Sequence, residues 1–156
     1  MKAAWITFLV VFCLLPTVEA KSRHCLFRVH TEANEHDSPT FAAGAKATVS
    51  GKVVVIEKMA SISENDVVAF SAYQAPDGTF GALLRLDDHG RTMLDTLSVE
   101  RRGSLLFLFM NGRLLSELQI DKRISDGQIY ISSGLTADDL KLMKKDWKFI
   151  APKEHH

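Results

Sequence analysis

The chain has 156 residues and carries 19 basic and 19 acidic side chains, so its formal charge at neutral pH is zero. Its hydrophobic fraction of 46% and charged fraction of 24% are those of an ordinary globular protein, which excludes a disordered or collagen-like chain. Nucleic acids and anionic membranes are captured by concentrated basic faces, so the balanced charge also argues against nucleic acid as a partner.

The first 20 residues have the pattern of a secretory signal peptide. Lys2 precedes an apolar run of 11 residues from Trp5 to Leu15, and Pro16 ends the run. The segment closes with Val18-Glu19-Ala20, which favours cleavage after Ala20. Because the run is shorter than the roughly 20 residues of a membrane-spanning helix, we expect a periplasmic or secreted protein with no stable membrane span after cleavage.

The rest of the chain divides into three parts by its pattern. We predict an N-terminal strand and loop over 21–48, an α+β domain over 49–150 and a disordered tail over 151–156. Cys25 to His30 alternates like a strand. With Cys13 in the signal peptide, Cys25 is either a buried small hydrophobe or a thiol that pairs between chains, and its strand-like neighbours favour the buried alternative.

Strand patterns continue to Leu86. The segment from Phe41 to Met59 holds four consecutive β-branched residues at 53–56 and predicts a strand or a hairpin. Asp66 to Gln74 and Thr79 to Leu86 predict two more strands, because Ala75-Pro76-Asp77-Gly78 between them has the composition of a tight turn.

A helix is predicted to begin at Asp87 or Asp88, where the hydrophobic period changes. Met93, Leu94 and Leu97 then share one helical face, and Arg101-Arg102-Gly103 has the residue types of a helix end. An aspartate at the start accepts hydrogen bonds from unpaired backbone N–H groups. A capping role for this aspartate pair therefore outweighs a catalytic one.

The next segment predicts the central strand of the sheet. Ser104 to Met110 is apolar at nearly every position, which suits a strand that is covered on both faces. Asn111-Gly112 is suited to a two-residue type I′ turn, so Arg113 to Ile120 should return antiparallel. Gly127 to Ser132 predicts one more alternating strand.

A second helix is predicted after Gly134. Thr136 and Asp139 have the spacing of a capping box. Three lysines near its end favour a solvated face over a partner-binding patch: Lys141, Lys144 and Lys145. The residues predicted for the core are Phe80, Leu84, Leu94, Leu97, Phe107, Phe109, Leu118, Ile129, Ile131, Leu140 and Met143.

The order of these features resembles the first extracytoplasmic domain of SecD, a subunit of the bacterial protein translocase. The resemblance runs from Thr79 to Trp147 and rests on Leu86, Gly90, Thr96, Gly103, Asn111-Gly112, Gly127-Gln128-Ile129, Gly134 and Thr136. The family has a Ser-Ala-Pro-like step after the turn, where this chain has Ser116-Glu117-Leu118 without the proline. The resemblance implies a ferredoxin-like α+β fold, with two helices on one face of an antiparallel sheet, and does not carry the translocase function over.

Motifs for nucleotide binding, zinc proteases, serine hydrolases and dithiol chemistry are absent from the sequence. The histidines, namely His24, His30, His36, His89, His155 and His156, do not have the spacing of a metal site. Asp87-Asp88-His89 is the one acid-base constellation, because a carboxylate can orient an imidazole base, but no nucleophile is placed beside it. We therefore assign no catalytic residue, no cofactor and no metal ligand.

Two hypotheses about function follow. The first is an exported non-enzymatic binding or accessory protein of the bacterial cell envelope, which contacts protein or peptide. The second is a small periplasmic enzyme that uses the Asp87-Asp88-His89 corner. Two short helices cannot cover both faces of the sheet, so we expect one face or edge to be either polar or used for binding, with Tyr73, Arg85 and Tyr130 on that face. From the sequence alone, ordinary solvent-side positions are favoured over a binding site for these three residues, so we assign no binding residue.

Overall fold

The structure is a computed structural model that describes residues 23–33, 42–46 and 53–151. The predicted signal peptide, the predicted boundary between residues 48 and 49, and the predicted tail beyond Ala151 lie outside these ranges. No helix in the described ranges is long and apolar enough to span a membrane.

The described residues form ten strands and two α-helices. In chain order they are β1 (Phe27–Thr31), β2 (Ala42–Lys46), β3 (Val53–Glu57), β4 (Ile62–Ser63), β5 (Val67–Gln74), β6 (Phe80–Leu86), α1 (Asp88–Glu100), β7 (Leu105–Met110), β8 (Arg113–Gln119), β9 (Gln128–Leu135), α2 (Ala137–Asp146) and β10 (Lys148–Phe149). A short 3-10 turn, Glu64–Asp66, connects β4 to β5. Of the strand or hairpin predicted between Phe41 and Met59, the hairpin alternative is confirmed, since β2 pairs antiparallel with β3.

The first sheet has the strand order β4-β1-β7-β8 and is antiparallel throughout. β7 lies between β1 and β8, as predicted for the central strand. Leu106, Leu108 and Met110 belong to the main core, and Phe107, on the opposite face by strand alternation, is also fully buried. The backbone of Asn111 and Gly112 has φ values of 50° and 81°, which are the two positive values that a type I′ turn requires.

The second sheet has the order β10-β5-β6-β9, with β10 parallel to β5 and the other pairs antiparallel. The predicted α+β class with mainly antiparallel strands is confirmed. Apart from β2 and β3, the strands form two four-stranded sheets rather than one sheet. β8 and β9 lie side by side without a described ladder between them. The segment that connects them is hydrogen-bonded to α1, since Ser98 Oγ accepts the N–H of Ile124 at 2.9 Å.

Both helices begin as their sequences predict. Asp87 caps α1 by accepting a hydrogen bond of 2.8 Å from the N–H of Gly90. In α2 the Thr136 hydroxyl accepts from the N–H of Asp139 at 3.1 Å, and Asp139 accepts from the N–H of Thr136 at 2.8 Å. The capping box is thus confirmed.

One continuous core joins the two sheets and both helices. Of the predicted core residues, seven are buried: Leu84, Leu94, Leu97, Phe107, Ile129, Ile131 and Met143. The other four are half-buried: Phe80, Phe109, Leu118 and Leu140. Phe80, Leu118 and Leu140 pack against the margin of the core, whereas Phe109 lies outside it, with its ring edge-to-face against His30.

Candidate functional site

The structure places His89 against a carboxylate that the sequence pattern did not indicate. The imidazole Nδ1 of His89 lies 2.7 Å from Oδ1 of Asp66, which ends the 3-10 turn before β5. Asp87 is engaged as the helix cap, and Asp88 faces solvent in an ion pair of 3.1 Å with Arg91. The carboxylate that orients His89 is thus neither of its predicted neighbours, Asp87 and Asp88, but comes from 23 residues earlier in the chain.

The Asp66–His89 pair perturbs both groups. Burial by itself raises the pKa of Asp66, but hydrogen bonds from the Ser63 N–H, from His89 and from the Ser63 hydroxyl outweigh burial, and the resulting pKa is lower than usual. The hydrogen bond and the negative charge of Asp66 raise the pKa of His89. The pair is thus most strongly held when Asp66 is ionised and His89 is protonated.

The geometry of this corner does not form a nucleophilic triad. The hydroxyl of Ser63 donates to Oδ2 of Asp66 at 3.2 Å, so the carboxylate rather than the imidazole receives the hydroxyl proton.

The same corner has the spacing of a metal site. Within the described ranges, ligand atoms of Asp66, Asp87 and His89 lie within 4.8 Å of one another. Both oxygens of Asp66 and the capping oxygen of Asp87 already accept hydrogen bonds. The corner therefore joins the 3-10 turn to the start of α1.

A second candidate site lies on the outer face of the second sheet, which we call the tyrosine face and define by Tyr73, Leu83, Arg85 and Tyr130. On β6 and β9 the alternate residues point into the core, so these side chains lie on the opposite face. Leu83 is the cross-strand partner of Tyr130. The predicted placement of Tyr73, Arg85 and Tyr130 on one outer face is confirmed.

The two tyrosines form a stacked, hydrogen-bonded pair. Their ring centroids lie 5.9 Å apart with an interplanar angle of 11°, and their hydroxyl oxygens are 2.6 Å apart. The hydroxyl of Tyr73 is also within 2.9 Å of the carbonyl oxygen of Ser132, which can only accept. Burial, followed by the hydrogen bond and charge of Tyr130, raises the pKa of Tyr73 to about 12.

A glycine beneath Tyr73 makes this pair possible. Gly81 is the cross-strand partner of Tyr73, and a Cβ at Gly81 would overlap the tyrosine ring and come within 2.6 Å of the carbonyl oxygen of Ser132. Only a residue without a side chain lets the ring cross β6 to reach β9. No pattern in the sequence indicated that Gly81 makes room for the ring of Tyr73.

The remaining charged and reactive candidates have partners or are buried. Lys141 forms an ion pair with Asp138, Lys144 lies over the ring of Phe149, and Lys145 donates to the carbonyl oxygen of Arg23. Their partners are exposed or close in sequence, which agrees with a solvated lysine face.

Cys25 is a free, buried thiol that lies 3.3 Å from the sulfur of Met110. Burial and the nearby charges of Asp146, Asp139 and Glu64 raise its pKa to about 12. The buried alternative predicted for this cysteine is confirmed, and the thiol is not an activated nucleophile.

The described histidines other than His89 also have individual partners. His24 Nδ1 lies 3.1 Å from Asp146, and His30 Nδ1 lies 2.8 Å from the carbonyl oxygen of Glu57. His36, His155 and His156 lie outside the described residues.

No protein-family model matches the chain, and no curated protein matches it significantly. Solved structures do resemble it. A structure of SecDF, described as a membrane component that enhances protein export, is 11% identical with a TM-score of 0.55, and the match covers 80% of this chain and 64% of that one. A crystal structure of SecDF in its super-membrane-facing form is 10% identical with a TM-score of 0.48, and the match covers 80% of this chain and 28% of that one.

The chain therefore spans less than two thirds of the SecDF chains that it matches. At 11% identity the first likeness concerns the fold alone. The resemblance to SecD that the order of turns, glycines and helices indicated is confirmed at that level: the chain has a SecD-like α+β fold.

Proposed function

We propose that this protein is an exported, non-enzymatic binding or accessory protein of the bacterial cell envelope, and that it contacts protein or peptide through the tyrosine face. The signal-peptide pattern of residues 1–20 supports export to the periplasm or the exterior. The SecD-like fold supports an accessory role beside protein export, since the solved relative is a component that enhances export.

The composition of the tyrosine face carries the proposal. Tyrosine and arginine are enriched where proteins bind partners. Tyrosine combines a large apolar surface with a polar tip at a small cost in conformational entropy, and arginine offers five hydrogen-bond donors and a planar surface that stacks. Tyr130 is 53% exposed, and Arg85 beside it is exposed as well. The stacking on Tyr73 holds the ring of Tyr130 in place before a partner arrives, which lowers the cost of binding.

The enzyme hypothesis has less support from the geometry. Its required base, His89, is oriented by Asp66, but the nearby hydroxyl of Ser63 hydrogen-bonds to Asp66 instead of to the imidazole. The Asp66–His89 contact joins two backbone segments and the helix cap lies beside it, so a structural role accounts for each of these side chains.

A binding measurement with an unfolded polypeptide tests the proposal. The probe is a fluorescein-labelled, reduced and alkylated polypeptide, and its anisotropy is followed as purified protein is added. We expect the wild type to bind, and Tyr130→Ala and Arg85→Ala each to weaken binding by about tenfold or more, as interface anchors do.

The matched control is Val99→Ala, which truncates a side chain that is 58% exposed on α1, away from the tyrosine face. It should bind like the wild type. Absence of binding by the wild type, or equal binding by all variants, would contradict the proposal. Turnover of a hydrolase or transferase substrate that disappears in folded His89→Ala would instead establish the enzyme hypothesis.

A further inference from the structure

The charged side chains of the second sheet are all of one sign. In the part of the chain that the structure describes, β5, β6, β9 and β10 carry Arg85 and Lys148 but no aspartate or glutamate. The whole chain has equal numbers of acidic and basic residues, so a sheet with cations alone departs from the average composition of the molecule. The side of the sheet that holds these two residues therefore carries net positive charge.

Arg85 and Lys148 lie in one row across the sheet and on the same side of it. Lys148 is the register partner of Ala69 on β5, and Ala69 is in turn the partner of Arg85 on β6. The adjacent residues Phe70 and Leu84 belong to the core, so the row faces outward by strand alternation. Neighbouring strands are about 4.8 Å apart, so the Cα atoms of the two cations are separated by about 10 Å. Both long side chains can therefore reach the same carboxylate.

Neither cation is neutralised within the described residues. The described arginines that follow Arg85 or precede it from position 28 onward each have an acceptor: Arg28, Arg91, Arg101, Arg102, Arg113 and Arg123. In the same ranges Arg85 and Lys148 have no ion pair or hydrogen bond, and both side chains are exposed. The residue between them, Ala69, has only a methyl group and offers no charge to either.

The acidic residues at the ends of these strands are engaged elsewhere. Asp66 holds His89, and Asp87 caps α1. Asp126, which lies just before β9, accepts the backbone N–H two residues further on at 3.1 Å. None of the three forms an ion pair with the cations of the sheet within the described ranges. The two positive charges therefore remain available to an anion from outside.

The next row toward the tyrosines is mainly apolar and aromatic. It consists of Ser71, Leu83 and Tyr130, which are register partners on β5, β6 and β9. Two residues along a strand separate this row from the cations, a distance of about 6.6 Å. The side chains i and i+2 of an extended polypeptide are the same distance apart. A segment that lies along β6 can thus place one side chain at the cations and another over Leu83 and Tyr130.

We propose that the tyrosine face, with Lys148 beside it, selects acidic segments of polypeptide. The segment binds in extended form, with a carboxylate at Arg85 and Lys148 and an apolar side chain over Leu83 and Tyr130. This inference rests on the proposed function and specifies the partner of the same face. A carboxylate suits the pair of cations, because a guanidinium donates two parallel hydrogen bonds to it and an ammonium donates a third. A nucleic acid would require more phosphate contacts than two cations provide.

The test uses the full mature protein and three fluorescein-labelled peptides that differ at one position. The first is Gly-Ser-Glu-Ser-Phe-Ser-Gly with both ends blocked, and the others have Gln or Lys in place of Glu. Anisotropy should show that the Glu peptide binds about fivefold more tightly than the Gln peptide, and that the Lys peptide binds more weakly still. High salt should remove the preference, because exposed charges are screened.

Two variants assign the preference to the cations. Arg85→Gln combined with Lys148→Gln should bind the Glu and Gln peptides equally, and Lys148→Gln alone should reduce the preference at least about twofold. The matched control Lys141→Gln removes the same charge from an exposed position on α2 and should keep the full preference. Circular dichroism checks that each variant is folded. Should the double variant not fold, the single exchange at the exposed Lys148 provides the test.

The possible failures are distinguishable from failure of the proposed function. Equal binding of the Glu and Gln peptides at the tyrosine face would overturn the acidic selectivity, while contact with polypeptide would stand. A preference for Glu that persists in the folded double variant would also overturn the inference, because the carboxylate would then bind elsewhere. Absence of binding by all three peptides would overturn it too, and the measurement with unfolded polypeptide would then decide the proposed function by itself.

Discussion

The side-chain amide of Asn111 donates a hydrogen bond of 2.7 Å to the carboxylate of Asp139, and so connects the β7–β8 turn to the first turn of α2. The same carboxylate accepts from Arg113 and from the backbone N–H and the hydroxyl of Thr136. These hydrogen bonds lower the pKa of Asp139 although its burial opposes this. One aspartate therefore serves as a helix cap and as the link between a hairpin and a helix.

Replacement of Asp139 by alanine should destabilise the protein by about 2 to 3 kcal/mol, because a helix cap is lost and Asn111 and Arg113 lose a shared acceptor. Chemical denaturation measures the change. The matched control is Asp138→Ala at the neighbouring residue, whose side chain is 86% exposed, and it should change stability by less than about 0.5 kcal/mol. Equal losses for both variants would show that Asp139 acts only through the helix dipole.

Truncation of Phe107 to alanine should cost about 3 to 5 kcal/mol, because the ring is fully buried in the central strand of the first sheet. Met59→Ala, at a side chain that is 82% exposed, serves as the control and should leave the unfolding midpoint nearly unchanged. A Phe107→Ala variant that melts within a degree or two of the wild type would mean that β7 is not covered on both faces.

The Asp66–His89 pair predicts a specific pH dependence. The folded pKa of His89 is raised, so its contribution to stability is complete below its unfolded value of about 6.5 and is lost as the pH rises through the folded pKa. The folded pKa of Asp66 is lowered, so its contribution is present above about 3.9 and is lost as the pH falls through the folded value. The pair therefore stabilises the fold most between about pH 4 and 6.5.

Measurement of the His89 imidazole resonances against pH checks this directly. In the wild type the midpoint should lie above that of a free histidine, and in Asp66→Asn it should move down. His89→Gln should lose more stability relative to the wild type at pH 5.5 than at pH 8.5. A midpoint that does not respond to Asp66→Asn would exclude the contact in solution.

The tyrosine pair predicts an unusual phenol titration. The chain has only two tyrosines, so in Tyr130→Phe every phenolate signal comes from Tyr73. Its pKa should fall from about 12 toward the usual 10, and should stop short of 10 because the burial of Tyr73 remains. Ultraviolet absorbance of the phenolate follows the change. A Tyr73 pKa that stays near 12 in this variant would assign the whole shift to burial.

Local patterns predicted the helices and the main strands because their causes are local. Thr136 and Asp139 are three residues apart, and Asn111-Gly112 determines its own turn, so a short window of sequence contains the complete argument. The division of the strands into two sheets was not predicted. It depends on pairing between strands that are far apart in the sequence, such as β1 with β7, where Phe27 lies opposite Met110.

The candidate sites show the same limit. Alternation along β6 and β9 was enough to place Arg85 and Tyr130 on one face. The partner of His89 was missed because Asp66 precedes β5 and reaches His89 only after β5 and β6 have paired. The one available signal was local: Ser63 and Asp66 have capping-box spacing, which marks a turn with a buried carboxylate.

Backbone amide NMR of the wild type, titrated with a reduced and alkylated polypeptide, tests the proposed function most directly. If the tyrosine face binds polypeptide, the largest shift changes should map to Tyr73, Leu83, Arg85 and Tyr130, and Tyr130→Ala should abolish them. The absence of shift changes, or changes that map elsewhere and persist in Tyr130→Ala, would contradict a binding role for this face.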